Sequence, residues 1–96
     1  MAPLPARRSA RIESLLRETL GAVHVEVVDE SQLHAGHAGA AGGAGHFRAL
    51  VVAKAFEGKS LIERQRLVYG ALAEMMGPEI HALAMQTLTP EQWKGG

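Results

Sequence analysis

The sequence predicts an α+β domain in which helices cover one face of a three-stranded mixed sheet, with the elements in the order α-β-β-α-β-α. Apolar residues recur every three or four positions in two segments, which is the spacing of amphipathic helices. Two segments rich in β-branched residues flank a Gly/Ala-rich connection, as in an antiparallel hairpin. A third strand-like segment follows the second helix, and a helical crossover favours a parallel, right-handed connection.

The first helix is predicted from Ser9 to Leu20, because Ser9 can cap it and Gly21 follows it as a stop signal. The residues before this helix include two prolines. They are predicted to form a flexible N-terminal arm over residues 1–8, and the domain is predicted to span residues 9–94.

The first strand is predicted at Val23–Val28, where valines alternate with polar side chains, and the second at His46–Ala53. The connection Leu33–His46 contains five of the chain's eleven glycines. A connection of this length in a compact domain is usually functional or disordered. We interpret it as functional because it carries histidines.

The second helix is predicted to begin after Ser60, which has a glutamate three positions later, the spacing of a capping box. Its apolar stripe runs from Leu61 to Met76, and the pair Gly77-Pro78 is expected to end it.

The third strand is predicted at Ile80–Leu88, followed directly by a short terminal helix. Thr89 is the expected cap of that helix, and Pro90 suits its first position. Gln92 completes a second capping box.

Composition excludes several classes of protein. Ten basic and ten acidic residues give zero net charge, so no global field attracts nucleic acid or anionic lipid. Cysteine is absent, which excludes disulfides, a thiol nucleophile and a self-contained thiolate metal site. No apolar run approaches the roughly 20 residues of a membrane span, and no signal-peptide core is recognisable, so we expect a cytoplasmic protein without membrane association. No catalytic motif occurs, so we expect no enzyme.

The predicted topology brings histidines together. The first strand ends at the Gly/Ala-rich connection, and the second and third strands both begin at that end of the sheet. We therefore expect His34, His37, His46 and His81 to gather at one edge, and His24 to lie at the other edge.

Clustered neutral imidazoles bind zinc, copper or iron, so this edge is a candidate metal site. The ordinary alternative also accounts for the pattern. In it, His34 and His37 are solvated loop residues, His46 bonds to backbone, and His81 is a half-buried side chain with its hydrogen bonds satisfied.

A second candidate site is basic and lies at the start of the second helix. Lys59, Arg64 and Arg66, near Lys54, could contact phosphates or an acidic protein surface. Ordinary charges on a solvated helix face account for the same pattern.

Four segments resemble the BolA family, in order and with fitting spacing. They are ESQLH (30–34), HFRALVVAKAFEG (46–58), EGKSLIERQRLVY (57–69) and IHALAMQTLTPEQW (80–93). The resemblance implies a fold similar to the class II KH domain, in agreement with the predicted element order. KH domains grip nucleic acid with a Gly-x-x-Gly loop, and Gly58 stands alone here, so that mode is not supported.

The resemblance implies that the chain partners a monothiol glutaredoxin and shares a [2Fe-2S] cluster with it, for iron-sulfur trafficking or iron/redox sensing. Glutathione and the glutaredoxin cysteine would be the thiolate ligands. By the family pattern His81 would be the fixed ligand and His34 the mobile one, with the role of nearby His37 left open. A chain without cysteine fits this scheme, because histidine replaces cysteine on one iron in Rieske centres.

The family also includes bacterial DNA-binding regulators of morphology and stress response. The alternative function is therefore a transcriptional regulator that uses Lys59, Arg64 and Arg66, although zero net charge tells against tight DNA binding. A zinc-binding or structural adaptor is a third possibility. Many relatives carry Arg-His-Arg where this chain has Gln65 between two arginines, so a role for that histidine is in doubt. The free protein is expected to be a monomer or a weak homodimer.

Overall fold

Three strands form one mixed sheet, and two helices bury one of its faces. The structure, a computed structural model, describes residues 4–31 and 44–95. Its elements are α1 (Leu4–Leu20), β1 (His24–Asp29), β2 (Gly45–Val52), a 3-10 turn (Lys54–Phe56), α2 (Leu61–Ala71), β3 (Ile80–Leu88) and α3 (Pro90–Gly95). The predicted fold class and element order are confirmed.

The strand order is β1-β2-β3, with β2 in the centre. Strand β1 pairs antiparallel with β2, and β2 pairs parallel with β3. Both relations follow from the connections, since a hairpin reverses the chain and a helical crossover restores its direction. The starts of β2 and β3 therefore lie at the same end of the sheet.

The core lies between the sheet and helices α1 and α2. Alternate side chains of β2 point into it, as the period of a strand requires, and α1 and α2 contribute the opposite layer. Burying each large aliphatic or aromatic side chain of this kind contributes about 1.5–3 kcal/mol. The largest fully buried side chains are Phe47, Phe56, Ile12, Leu16, Leu72, Met75, Ile80, Val51, Val52 and Val68.

The predicted start of α1 at Ser9 was wrong, because the helix begins at Leu4. A proline is tolerated in the first turn, where its missing N–H would have no intrahelical partner, so Pro5 does not prevent the earlier start. The boundary of the domain itself stays a prediction.

Helix α2 is shorter than its apolar stripe indicated and ends at Ala71 rather than Met76. Beyond the helix, the Met75 carbonyl accepts from the N–H groups of both Glu79 and Ile80. Residues 75–80 therefore form a turn and do not continue the helix. Leu61, the first residue of the predicted apolar stripe, is 62% exposed. The buried residues of α2 lie in its C-terminal half, beyond the first turn that contains Leu61.

Both predicted capping boxes are present. The Ser60 hydroxyl accepts from the Glu63 N–H at 3.2 Å, while the Glu63 carboxylate accepts from the Ser60 N–H at 2.8 Å. At α3 the Thr89 hydroxyl and the Gln92 side-chain carbonyl make the same reciprocal bonds at 3.1 and 2.9 Å. In the described part of the chain, no helix is long and apolar enough to cross a membrane.

The pairing of β2 with β3 contains a bulge at its start. Gly45 pairs with Ile80, but His46 pairs with Ala82, so His81 is an extra residue with no partner on β2. Gly45 has a steric reason to be glycine, because a Cβ there would lie 2.7 Å from the Ser31 hydroxyl and 2.8 Å from the Phe47 ring. Bulges of this kind re-aim a side chain and are common next to functional sites.

We predict that Gly45→Ala destabilises the protein by about 1–3 kcal/mol, because an added methyl group overpacks the bulge. Gly70→Ala is the matched control, since a Cβ at Gly70 meets nothing within 4 Å. It should stabilise α2 by roughly 0.5–1 kcal/mol. Chemical denaturation measures both changes in the free energy of unfolding. Equal stability of the two variants would contradict the steric role of Gly45.

Candidate functional site

The extra residue of the bulge, His81, lies beside the histidine that begins the regular part of β2. The ring centroids of His46 and His81 are 5.1 Å apart, and the ring planes are inclined at 52°. We call this pair, at the edge where β2 and β3 begin, the histidine edge. Its formation follows from the parallel pairing of the two strands, as the topology predicted.

The backbone of His46 is fixed from both sides by the end of β1. Its N–H donates to the Ser31 hydroxyl at 3.1 Å, and its carbonyl accepts from the Glu30 N–H at 2.8 Å. The Ser31 N–H in turn donates to the Asp29 carboxylate at 2.8 Å, which holds Ser31 in place. Asp29, Glu30 and Ser31 therefore hold the backbone of His46 in position.

The chain before His81 is fixed by contacts with β2 and with α1. The Gly45 N–H donates to the Glu79 carbonyl at 3.0 Å. The Glu79 carboxylate accepts from Arg11 at 2.7 Å, and Arg11 also pairs with Glu74 at 3.2 Å. These bonds anchor the turn from which β3 starts.

The two histidines differ in accessibility. The His81 side chain is exposed and His46 is half-buried. Residues His81 and Ala82 are exposed in succession, between buried Ile80 and half-buried Leu83. The bulge breaks the alternation of inward-facing and outward-facing side chains along β3. The His81 side chain is therefore exposed to solvent, and its ring lies next to that of His46.

Neutral imidazoles bind borderline transition metals, so the histidine edge offers two ligands of the right kind. Within residues 4–31 and 44–95, no group of three or more His, Cys, Asp or Glu side chains could hold a metal ion. The sequence contains no cysteine. A metal bound at this edge would therefore need ligands from outside the described residues.

Two of the predicted ligands, His34 and His37, lie outside the described residues. Their proposed role, like that of His81 as a ligand, stays a prediction. The separation of His24 from His46 and His81 is confirmed. Its ring stacks on Trp93 with centroids 4.5 Å apart, and its Nε2 lies 2.6 Å from the Glu26 carboxylate.

The three basic residues of the second candidate site differ in role. Arg64 stabilises the fold, whereas Lys59 and Arg66 are exposed. Arg64 is half-buried, and its guanidinium donates to the carbonyl of Thr87 at 3.1 Å and to the Gln92 side chain at 2.9 Å. It also donates to the Lys59 carbonyl and lies over the Phe56 ring, 6.0 Å from its centroid. Arg64 therefore links α2 to the end of β3 and to α3 through hydrogen bonds.

Lys59 and Arg66 are exposed and remain candidates for contact with a partner. They act on Glu63, whose pKa is lowered mainly by the hydrogen bonds from Ser60 and further by these two cations. The charges at the start of α2 thus include an ionised carboxylate and are not uniformly basic.

Sequence reasoning missed the bulge, which positions the exposed imidazole. A signal for it exists in the segment IHALAM, where the large apolar residues stand at 80, 83 and 85. Strict alternation from Ile80 would place the next large apolar side chain at 82, where the chain has alanine, so the three-residue interval marks one extra residue.

The family of the chain follows from comparison with known proteins. A sequence model described as BolA-like protein matches residues 16–92. This chain belongs to the BolA family. Residues 16–92 include the histidine edge, the capping box of α2, and Arg64 with its hydrogen-bond partners.

The BolA relatives are similar over most of the chain. Human BolA-like protein 1 is 46% identical over 85 residues, which are 88% of this chain and 60% of that protein. The DNA-binding transcriptional regulator BolA of Escherichia coli is 40% identical over 85 residues, 88% of this chain and 78% of the regulator. SufE-like protein 1 of Arabidopsis thaliana is 41% identical over 90 residues, and the match spans 24% of its length.

Solved BolA structures have the same fold. The BolA domain of SufE1 from Arabidopsis thaliana superposes with a TM-score of 0.76 at 40% identity, over 88% of this chain and 93% of that domain. A bol-like protein from Babesia bovis superposes with a TM-score of 0.74 at 38% identity, over 91% and 90% of the two chains.

We predict that Arg64→Ala lowers the free energy of unfolding by about 1.5–3 kcal/mol, since it removes a charged donor from the carbonyl of buried Thr87 and from the Gln92 side chain. Arg66→Ala, its neighbour on α2, should change it by less than about 0.5 kcal/mol. Urea denaturation of both variants distinguishes them. An Arg64→Ala variant with an unchanged free energy of unfolding would contradict this structural role of Arg64.

Proposed function

We propose that this BolA protein binds and does not catalyse, donating imidazole to a [2Fe-2S] cluster shared with a monothiol glutaredoxin and glutathione. The output would be iron-sulfur trafficking or iron/redox sensing. The observation that carries the proposal is the exposed His81, positioned by a bulge next to His46, in a chain without cysteine.

The donor chemistry fits a shared cluster. Such a cluster needs four ligands, and this chain offers imidazoles but no thiolate, so the thiolates must come from partners. When bound, the cluster would supply one-electron redox chemistry, and histidine ligation would raise its potential relative to an all-cysteine cluster.

The chain's own residues would act by positioning. The bonds from Glu79 to Arg11 and to Gly45 hold the start of β3, so His81 can meet a partner with little rearrangement. A neutral imidazole has one nitrogen lone pair available to a metal. His34 and His37 remain proposed as mobile ligands.

We predict that His81→Ala abolishes the change in visible absorption and circular dichroism seen when the full-length protein is mixed with cluster-loaded monothiol glutaredoxin. His24→Ala is the matched control, because His24 is a half-buried histidine at the other end of the sheet. It should respond as wild type does. An unaltered response in His81→Ala would remove His81 as a ligand and contradict the proposal.

The alternative function is DNA binding, and two observations favour it. The Escherichia coli relative is named a DNA-binding transcriptional regulator. Lys59 and Arg66 are exposed at the start of α2. Arg64 is a weaker candidate because its guanidinium is engaged within the protein.

If the protein binds duplex DNA through this surface, Lys59→Ala and Arg66→Ala should each reduce the slope of log K against log salt by about 1. Fluorescence anisotropy at several salt concentrations measures the slope. His24→Ala serves as the control with an unchanged slope. No binding of wild type at low salt would reject this alternative.

A further inference from the structure

We propose that the free edge of β3 pairs with the same edge of a second copy of this chain, across a twofold axis at Ala84. The two three-stranded sheets then join into one continuous sheet. This interaction uses the backbone of β3 and is independent of the shared cluster. Backbone groups that β3 leaves unpaired, and the side chains beside them, support it.

The outer edge of β3 carries unpaired hydrogen-bonding groups. β3 is an edge strand, since the strand order is β1-β2-β3. Backbone carbonyls point alternately to the two sides of a strand. The Leu88 carbonyl accepts from the chain just after β2, and the Thr87 carbonyl accepts from Arg64 on the opposite side. The N–H and carbonyl groups of Leu83 and Met85 therefore point away from β2, and in the part of the chain that the structure describes nothing bonds to them.

β3 lacks the features by which edge strands usually avoid pairing with another chain. Such strands carry charged side chains, proline or a bulge that twists the edge away. The segment IHALAMQTL contains no proline and no Asp, Glu, Lys or Arg, and its bulge lies at the start, so residues 82–88 are regular. The other edge strand, β1, is shorter and carries Glu26 and Asp29. The unprotected edge of the sheet is therefore that of β3.

The side chains along β3 fit a second copy in antiparallel register. With Ala84 on the twofold axis, Leu83 of each copy lies opposite Met85 of the other, and these two pairs exchange about four backbone hydrogen bonds. Ala84 then lies opposite itself in the closer kind of pair, where Cα atoms are about 4.5 Å apart and a small side chain fits. Ala82 lies opposite Gln86, so no like charges oppose each other along the pairing.

The pairing is short, so the dimer should be weak. Arg64 occupies the Thr87 carbonyl, which limits the pairing to residues 82–86. Five residues of strand span about 17 Å at about 3.4 Å per residue. Stable interfaces bury about 1,200–2,000 Å² in total, more than one pair of short strands supplies. We therefore expect a dimer that forms in concentrated solution and dissociates on dilution.

A twofold pairing also ends the assembly at two copies. When β3 pairs with β3, both unprotected edges are used. A head-to-tail pairing of β3 with β1 leaves a free edge at each end and extends into a filament. The acidic side chains of β1 oppose such an extension.

The first test measures self-association of the full-length chain by analytical ultracentrifugation over a wide range of concentrations. We expect a monomer–dimer equilibrium. At high concentration the amides of Leu83 and Met85 should become protected from hydrogen exchange, because pairing occupies their N–H groups. A chain that stays monomeric at every concentration, or a dimer without this protection, would overturn the proposal.

A charge exchange at Ala84 locates the axis. Ala84→Lys and Ala84→Glu should each weaken dimerisation at least about fivefold, because like charges then meet across the axis. An equimolar mixture of the two variants should associate more tightly than either variant alone, since the charges are then opposite. Ala10→Lys and Ala10→Glu are the matched controls, because Ala10 is an exposed alanine on α1. They should associate as wild type does, and equal behaviour of the Ala84 and Ala10 variants would contradict the proposed interface.

A pair of double variants tests the register. Ala82→Lys/Gln86→Glu places opposite charges across the axis twice and should tighten dimerisation, whereas Ala82→Lys/Gln86→Lys should weaken it. Both positions are exposed, so the fold should tolerate the changes, and far-ultraviolet circular dichroism checks this. The same dissociation constant for both variants would exclude the register centred on Ala84. None of these outcomes depends on whether His81 binds a cluster.

Discussion

The parallel pairing of β2 with β3, with one residue too many on β3, is the constraint on which the site depends. Parallel pairing brings the two strand starts to one edge, and the bulge leaves two successive residues of β3, His81 and Ala82, exposed. Neither feature alone would place His81 beside His46. The small space at Gly45 makes this arrangement possible, since Ser31 and Phe47 occupy the volume of a side chain there.

A second cluster of interactions lies at the end of the sheet opposite the histidine edge. There Arg64 joins α2 to β3 and α3, and Trp93 of α3 stacks on His24. From His46 to Val52, the partner of His24, is about 20 Å along the strand at 3.3 Å per residue. The contacts that hold the terminal helix are therefore remote from the histidine edge, so a partner can bind at one end without disturbing the other.

The element order and strand directions could be predicted because they depend on local periodicity, capping residues and the handedness of connections. The end of α2 could not, since it lies where turn bonds, from the Ala73 N–H to the Gly70 carbonyl and from the Met75 N–H to the Leu72 carbonyl, follow the helical bonds. The role of Arg64 was equally hidden. Its acceptors Thr87 and Gln92 lie 23 and 28 residues away, and a charge on a helix gives no sign of such partners.

The gathering of His46 and His81 at one edge followed from topology, but the 5.1 Å separation of the two rings depended on the bulge. Removing residue 81 alone would leave Ile80 opposite Gly45 and Ala82 opposite His46, an uninterrupted ladder with the same inward-facing residues. The imidazole is thus an insertion into an otherwise regular sheet, and a change of one residue in chain length is sufficient to give or take away this group while the architecture persists.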